Sequence, residues 1–280
     1  MQMRSLIVSA GVALAGFISA SATAHACESN KTPTAYVDQV YPTAEILPEN
    51  LLRFYIYFSE PMAREGIWKS VVLLDADGEI VTGAFIENKF DLWSPDDRRL
   101  TVLFDPGRVK TGLVAHNTLG RALEAGESYT LRVDAGAETR SGCAMSRAYS
   151  KTFDVVEADF TVPDLADWRI FEPSAGSRDT LRVALDGPTD HLSLAYRIRV
   201  KDTQGNLVRG ALRLGDEERE WLFTPTAPWA GTAYHLEVNT TLEDIAGNRL
   251  TGLFDRPLVT DGFSEPGSAV ETLTFTPRPN

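Results

Sequence analysis

Basic and imidazole side chains gather in one stretch of an otherwise acidic chain, at residues 105–121. The residues concerned are Arg108, Lys110, His116 and Arg121. Guanidinium, ammonium and imidazole groups donate hydrogen bonds to anionic and sugar oxygens, and long loops on rigid scaffolds often carry binding function. One hypothesis is therefore that this loop, together with Trp93, binds an anionic or carbohydrate partner. The alternative is that the loop covers the open end of its domain and buries Leu113, Val114 and Leu119.

Motifs that would support enzymatic chemistry are missing from the sequence. It contains no Gly-x-Ser-x-Gly, no His-Glu-x-x-His and no phosphate-binding glycine loop. Two pairs of adjacent carboxylates, Asp96-Asp97 and Glu217-Glu218, fall in polar turn segments, where solvated hairpin tips are expected. We therefore predict a protein that is not an enzyme and uses no cofactor.

Metal binding is a further alternative. The histidines are His25, His116, His191 and His235, and no two of them are spaced as paired metal ligands. Cleavage after Ala24 would leave His25 as the first mature residue, and imidazole with a terminal amine suits Cu(II). A periplasmic copper carrier is therefore an alternative function, although no metal site is predicted within the domains.

The N-terminal 26 residues have the three parts of a secretory signal peptide. A single positive charge, Arg4, precedes a weakly polar to apolar run at residues 6–18, and small residues follow up to Ala26. The run is shorter than the roughly 20 residues that a helix needs to cross a bilayer. We predict cleavage before His25 or before Cys27, and a periplasmic or secreted protein.

The two cysteines, Cys27 and Cys143, have two alternative predicted fates. An even count in an exported chain favours a disulfide, which would tie the mature N-terminus to the far end of the first domain. Alternatively, acylation of Cys27 would make a lipid-anchored protein and leave Cys143 free.

Charge restricts the class of partner. The chain has 27 Lys and Arg residues against 39 Asp and Glu residues, a formal net charge of −12. Such a surface repels nucleic acid and anionic membranes. No further apolar run is long enough to span a bilayer, so the predicted partner is a protein or glycan of the cell envelope.

A repeat organises the rest of the chain. A proline, two glycines and an alanine recur 127 positions later: Pro61, Gly78, Gly83 and Ala84 match Pro188, Gly205, Gly210 and Ala211. Before the first proline, Phe54, Ile56 and Phe58 alternate with polar or aromatic residues, and such period-two alternation indicates a half-buried strand. Because proline lacks a backbone donor, the strand should end at Phe58 and leave Glu60 and Met62 at a rim.

Turn and strand signals recur in both halves of the chain. Asp-Gly at Asp77-Gly78 predicts a hairpin turn rather than a calcium loop, because the second copy has Gln204 in place of Asp77 and keeps the glycine. Both copies also contain Gly-x-x-Tyr-x-Leu-x-Val, starting at Gly126 and Gly231, and its tyrosine is expected to tie a strand entrance to the adjacent loop. Of the tryptophans, Trp93 and Trp168 are predicted to be exposed and Trp221 buried.

These patterns predict an all-β protein with two tandem β-sandwich domains, at 31–156 and 161–280, and the resemblance described next implies that they are Ig-like. Phe-Ser-Glu-Pro-Met after an alternating strand, the hairpin glycines, the tyrosine strand and Asp244-Ile-Ala-Gly-Asn248 together resemble the bacterial Ig-like domain of the surface-layer (SbsA-like) type. That resemblance implies an exported spacer, scaffold or binding module without catalytic residues. A carbohydrate-binding accessory module is an alternative within the same class.

Overall fold

The computed structural model describes Cys27 and residues 33–87, 92–110, 120–255 and 269–279. The predicted signal peptide, His25 and His116 lie outside the described residues, as do Leu113, Val114 and Leu119 of the predicted binding loop. The described chain forms strands in four sheets with short helical turns between them, so the all-β prediction is confirmed.

The first sandwich consists of a three-stranded and a four-stranded sheet. The three-stranded sheet is antiparallel, in the order β1-β3-β5, and its strands are β1 (Val37–Tyr41), β3 (Arg53–Phe58) and β5 (Arg99–Leu103). The other sheet has the order β2-β7-β6-β4, and its strands are β2 (Ile46–Pro48), β4 (Val71–Leu74), β6 (Ser128–Val133) and β7 (Tyr149–Val156). β2 pairs with β7 in parallel, and the other pairs are antiparallel.

The second sandwich also consists of a four-stranded and a three-stranded sheet, and all of its strand pairs are antiparallel. One sheet has the order β11-β12-β9-β8, and its strands are β8 (Arg169–Phe171), β9 (Leu181–Ala184), β11 (Gly210–Leu214) and β12 (Glu220–Pro225). The other has the order β10-β13-β14, and its strands are β10 (Ile198–Asp202), β13 (Tyr234–Asn239) and β14 (Val270–Phe275). In the part of the chain that the structure describes, the short helices α1 (Pro106–Val109) and α2 (His191–Tyr196) connect strands.

Equivalent turns in the two sandwiches are built in the same way. Gly78 and Gly205 both have positive φ, near 80°, a conformation that residues with a Cβ rarely adopt. In each turn an aspartate closes the loop: Asp75 accepts from the backbone N–H groups of residues 77 and 79, and Asp202 from those of 204 and 206. The hairpin prediction at both sites is confirmed.

The tyrosines of the repeated strand motif also have the predicted role. The hydroxyl of Tyr129 accepts a hydrogen bond from the backbone N–H of Glu124, and that of Tyr234 accepts one from Ala230. Both rings are buried. Each tyrosine therefore fixes the loop that precedes its strand against the sandwich.

Two hydrophobic cores correspond to the two sandwiches. The first contains Phe54, Ile56, Phe104 and Phe153, and the second contains Leu181, Trp221, Trp229 and Leu236. Trp221 is buried as predicted, but Trp168 is buried as well, which corrects its expected exposure. Its indole N–H donates to Asp186 at 3.1 Å, so the ring packs inward while its one polar atom is satisfied.

The residues after β3 differ partly from expectation. The strand ends at Phe58 as predicted. Glu60 is half-buried and accepts a hydrogen bond from Thr34, whereas Met62 is fully buried in the first core and is not a rim residue. Proline at 61 ends the pairing, but a backbone bridge between Met62 and Thr139 turns the methionine back into the interior.

A disulfide joins Cys27 to Cys143, 116 positions apart. Cys143 lies in the turn region between β6 and β7. Its carbonyl accepts hydrogen bonds from the N–H and the hydroxyl of Thr139, and its own N–H donates to that hydroxyl. The nearby Ser146 donates to the carbonyl of Ala35, so the start of the first sandwich lies along this turn. A sulfur in this bond cannot carry a lipid, so the structure does not fit the alternative of an anchor on Cys27.

Candidate functional site

The outer face of β3 is the centre of the contact between the two sandwiches. Because side chains alternate along a strand, Arg53, Tyr55 and Tyr57 point away from the core-facing Phe54 and Ile56. An outer face of a sandwich normally meets water, yet Tyr55 is only 2% exposed. The second sandwich covers it with α2 and with the loop around Glu243.

A buried polar network connects the sandwiches there. The hydroxyl of Tyr55 donates to Asp190 at 2.7 Å, and the guanidinium of Arg53 forms ion pairs with Asp190 and, more closely, with Glu243. Glu243 also pairs with Arg249 at 2.8 Å. Asp190 caps α2 by accepting the N–H of Ser193. Burial raises the pKa of Asp190, and the charge of Arg53 and the Tyr55 hydroxyl oppose that rise.

His191, the first residue of α2, lies among three tyrosines of the first sandwich. Its ring stacks on Tyr41 with centroids 3.7 Å apart, and its Nε2 lies 2.9 Å from the hydroxyl of Tyr57. Tyr55 contacts the ring obliquely at 5.9 Å. Burial, with a smaller contribution from Arg99, lowers the pKa of His191 to about 4, so the imidazole is neutral at pH 7.

The connection between the sandwiches is held from both sides. The carbonyl of Asp159 accepts from Asn50 at 2.8 Å and from Asn248 at 3.0 Å, and its N–H donates to Asn50. Asn248 is in turn bonded to Asp244 through its backbone and side chain. Burial raises the pKa of Asp244 to about 7. One asparagine from each sandwich therefore fixes the linker.

A second contact involves Glu218, which is 1% exposed. Its carboxylate accepts the backbone N–H and the hydroxyl of Thr43, both at 2.9 Å. Asp97 is the equivalent residue of the first sandwich. The backbone carbonyl of Asp97 accepts a hydrogen bond from the N–H of Met62, and the backbone carbonyl of Glu218 accepts one from the N–H of Thr189.

These contacts correct the prediction for both carboxylate pairs. Asp97 is buried and pairs with Arg64 and Arg140, and Glu218 is buried against the other sandwich. Only Asp96 and Glu217 are exposed. Asp97 and Glu218 both have positive φ, as does the exposed Glu217, so the buried carboxylates are distinguished by their partners and not by this backbone conformation.

Two clefts lie at the junction. The first, which we call the acidic cleft, has a volume of about 730 Å³ and is lined among others by Tyr41, Glu45, His191, Leu212, Asp216 and Glu217. The second, which we call the tyrosine cleft, has a volume of about 920 Å³ and is lined among others by Tyr36, Asp38, Tyr57, Asp96, Arg99 and Tyr196. Both sandwiches contribute side chains to each cleft.

The residues that the sequence selected for binding have mainly structural contacts. Arg108 is 6% exposed, and its guanidinium donates to the carbonyls of Gly120, Thr82 and Arg121 at 2.7–2.9 Å. Arg121 pairs with Glu49 at 3.1 Å. These partners use the two guanidinium groups within the fold, which corrects the expectation that Arg108 and Arg121 form a ligand-binding surface.

Lys110 and Trp93, the other described members of that set, each contact an aromatic ring of the fold. The ammonium of Lys110 lies 4.1 Å from the centroid of Phe254, and Trp93 packs on Phe58 with ring centroids 5.9 Å apart. Trp93 is half-buried rather than a free platform. The sequence analysis did not select Tyr36, Tyr57 or Tyr196. Aromatic residues on both faces of β3 do indicate that both faces of this strand are covered, and this signal could have identified Tyr57.

Within the described residues, no group of three or more His, Cys, Asp or Glu side chains is arranged to hold a metal ion. In the same part of the chain, no helix has the length and apolar character needed to cross a bilayer. The copper alternative depends on His25, which lies outside the described residues.

Comparisons with known proteins give structural neighbours without a family. No family model and no curated protein matches the chain. The native α2-macroglobulin of Escherichia coli, spanning domains MG0-NIE-MG1, is 14% identical, and the match covers 74% of this chain and 66% of that chain with a TM-score of 0.28. The chain therefore spans just under two thirds of that neighbour.

Two further neighbours show the same degree of similarity. The titin domains z1z2, in complex with telethonin, are 12% identical over 89% of this chain and 99% of that chain, with a TM-score of 0.24. The S-layer protein rSbsC is 9% identical over 88% of this chain and 41% of that chain, with a TM-score of 0.26.

Proposed function

We propose that this protein is an exported, non-catalytic scaffold or binding protein of the cell envelope. Its two Ig-like sandwiches, at 31–156 and 161–280, keep one relative orientation. The observation that carries this proposal is the buried contact in which Arg53 and Tyr55 hold Asp190 and Glu243. Domains on a short linker move relative to each other unless a contact of this kind fixes them.

The form of the contact favours a fixed orientation. Removing one member of a buried ion pair leaves an uncompensated charge, which typically costs about 3 to 5 kcal/mol. Separating the sandwiches would solvate Asp190 and Arg53 but would also expose the three tyrosines around His191. Rotation of one sandwich over the other would break the same hydrogen bonds without hydrating their atoms.

A non-catalytic role is supported by the engagement of the junction's titratable groups. A general acid or base must face the reacting atoms of a substrate. The carboxylate of Asp190 instead faces Tyr55 and Arg53, and that of Glu218 faces Thr43. His191 is held neutral against Tyr41 and Tyr57.

The sequence supports export and placement in the envelope. Three features are typical of envelope proteins: the predicted leader at residues 1–26, the disulfide, and the resemblance to the surface-layer (SbsA-like) Ig-like type. Cell fractionation with N-terminal sequencing tests this part. We expect the protein in the periplasmic or secreted fraction, starting at His25 or Cys27. A full-length chain in the cytoplasm would contradict export.

Small-angle X-ray scattering of the purified mature protein tests the fixed orientation. We expect one conformer to reproduce the scattering curve at low and at high salt. Arg53→Ala, which leaves the buried Asp190 without its cation and removes one of the two cations of Glu243, should increase the radius of gyration. A wild-type curve that needs several orientations would remove the proposed scaffold role.

A further inference from the structure

The tyrosine cleft exists only where the two sandwiches meet. Tyr36, Asp38 and Tyr57 reach it from the first sandwich, as do Arg99, the first residue of β5, and Arg98 just before it. Tyr196, the last residue of α2, reaches it from the second sandwich. A ligand in this cleft would therefore contact both sandwiches at once.

Aromatic rings in the cleft are accessible from outside. Tyr196 is 62% exposed and Tyr36 is 36% exposed, although both are large apolar rings. The guanidinium of Arg147 lies 5.2 Å from the centroid of Tyr36, and Tyr57 is fixed by His191. Tyrosine combines a flat apolar face with a polar tip, which suits a ligand that has both apolar C–H faces and hydroxyl groups.

The polar groups in the cleft are balanced in sign. Two carboxylates, Asp38 and Asp96, lie with two guanidinium groups, Arg98 and Arg99. Asp96 is oriented by the hydroxyl of Ser94 at 2.5 Å. The Nε atom of Arg99 is buried and has no hydrogen-bond partner among the described residues. Donors and acceptors therefore stand side by side in a region without excess charge, on a chain whose net charge is −12.

This chemistry distinguishes between ligand classes. An anionic polymer would be repelled by the chain as a whole. A proline-rich peptide could stack on the rings, but it offers few polar groups to the carboxylates and guanidiniums around them. A sugar chain offers apolar C–H faces for tyrosine and vicinal hydroxyl groups that both donate and accept.

We infer that the tyrosine cleft binds a neutral oligosaccharide, stacked between Tyr36 and Tyr196 and hydrogen-bonded by Asp38, Asp96 and Arg99. The inference rests on the proposed function, because the two tyrosines face one ligand only while the sandwiches keep their orientation. The cleft would then give this scaffold its attachment to an envelope or extracellular glycan.

Binding to an immobilised panel of neutral oligosaccharides tests the inference. The panel contains β-1,4-linked glucose, mannose and N-acetylglucosamine chains, with polygalacturonic acid and a proline-rich peptide as comparison probes. We expect the mature, oxidised protein to bind at least one neutral chain. Tyr36→Ala and Tyr196→Ala should each weaken that binding about tenfold, as removal of a central aromatic contact does at many interfaces. Tyr196→Phe should keep most of it, because the ring is retained.

Phe171→Ala is the matched control. Phe171 is 44% exposed, lies under the guanidinium of Arg182 and does not line the tyrosine cleft. Its replacement should leave binding unchanged. Absence of binding to every neutral chain, selective binding of the proline-rich peptide, or binding that Tyr36→Ala and Tyr196→Ala leave intact would overturn the inference.

Scattering on the same samples separates the two proposals. A single orientation without oligosaccharide binding would overturn the glycan site and leave the scaffold role intact. Several orientations in solution would overturn the scaffold role itself.

Discussion

Arg108 shows how a charged residue in a loop can have a structural role. Its guanidinium satisfies three carbonyl groups from two separate segments, Thr82 on one side and Gly120-Arg121 on the other. A carbonyl that is buried without a donor costs free energy comparable to a lost hydrogen bond. The residue type alone predicts binding equally well, because sequence does not show whether the acceptor belongs to a ligand or to the backbone.

Replacing Arg108 therefore tests its structural role. Arg108→Ala should lower the free energy of unfolding by about 2 to 4 kcal/mol, because three carbonyls lose their donor. Lys110→Ala, its matched control, removes a contact with Phe254 and should cost under about 1 kcal/mol. Urea denaturation followed by tryptophan fluorescence measures both. Equal stability of the two variants would show that Arg108 does not hold the loop.

The pH dependence of stability tests His191. Its folded pKa, about 4, lies below the ordinary value near 6.5, so the unfolded chain binds the proton more readily. The contribution of His191 is fully present above pH 6.5 and is lost as the pH falls toward 4. His191→Gln should reduce the loss of stability across that window, by up to about 3 kcal/mol. Urea denaturation between pH 7.5 and 4.5 measures this slope.

Asp244 changes the pH dependence of stability in the opposite direction to His191, so it is the control for that measurement. Its folded pKa, about 7, lies above the ordinary carboxyl value near 4, so the folded chain takes up the proton first. This group contributes stability as the pH falls from 7 toward 4. Asp244→Asn, which resembles the protonated acid, should therefore make the acid loss steeper. Parallel profiles for wild type and both variants would contradict the burial of these two groups.

At the scale of elements, β3 explains why the fold was easier to predict than the site. Phe54, Ile56 and Phe58 alternate as a sandwich strand should, and this alternation located the strand and its end. The opposite face carries Arg53, Tyr55 and Tyr57, whose types suit either water or a polar contact. The second copy has Arg182 in place of Tyr55, half-buried on its own sheet, so only the first copy forms the contact.

The turns were predictable because their requirements are local. Positive φ at Gly78 and Gly205 follows from the hairpin geometry, and the closing aspartates recur with the same spacing. The corners at Asp97 and Glu218 were not predictable in this way. The carboxylate of Asp97 pairs with Arg64, 33 positions away, and that of Glu218 accepts from Thr43, 175 positions away. A local sequence pattern does not predict contacts between residues so far apart.

Reduction of the disulfide tests how the N-terminal segment stabilises the first sandwich. The bond closes a loop with a separation of 116 residues, so its loss should destabilise that sandwich by up to about 4 to 5 kcal/mol. Amide hydrogen exchange should show faster exchange in β6 and β7 after reduction, and little change in β9 and β13. A Cys27→Ser, Cys143→Ser variant should match the reduced protein. Uniform loss of protection in both sandwiches would contradict a local effect.

At the scale of the whole molecule, the repeat gave two sandwiches but not their arrangement. The 127-residue spacing is compatible with any orientation, because it relates equivalent residues of the two copies and not contacts between them. The arrangement depends on pairs such as Tyr55 with Asp190 and Thr43 with Glu218, which join segments that the repeat does not relate. Ile245 shows the same point, since a residue of the second sandwich packs into the first core.

The proposed fixed orientation of the two sandwiches can be checked by measuring the distance between them. Spin labels at Asp77→Cys and Gln204→Cys would occupy equivalent exposed turns, one on each sandwich, and the native cysteines are bonded to each other. We expect double electron–electron resonance to give one narrow distance distribution. The same distribution should broaden when Asn50→Ala and Asn248→Ala release the linker carbonyl. A broad distribution in the otherwise unchanged protein would contradict the fixed orientation.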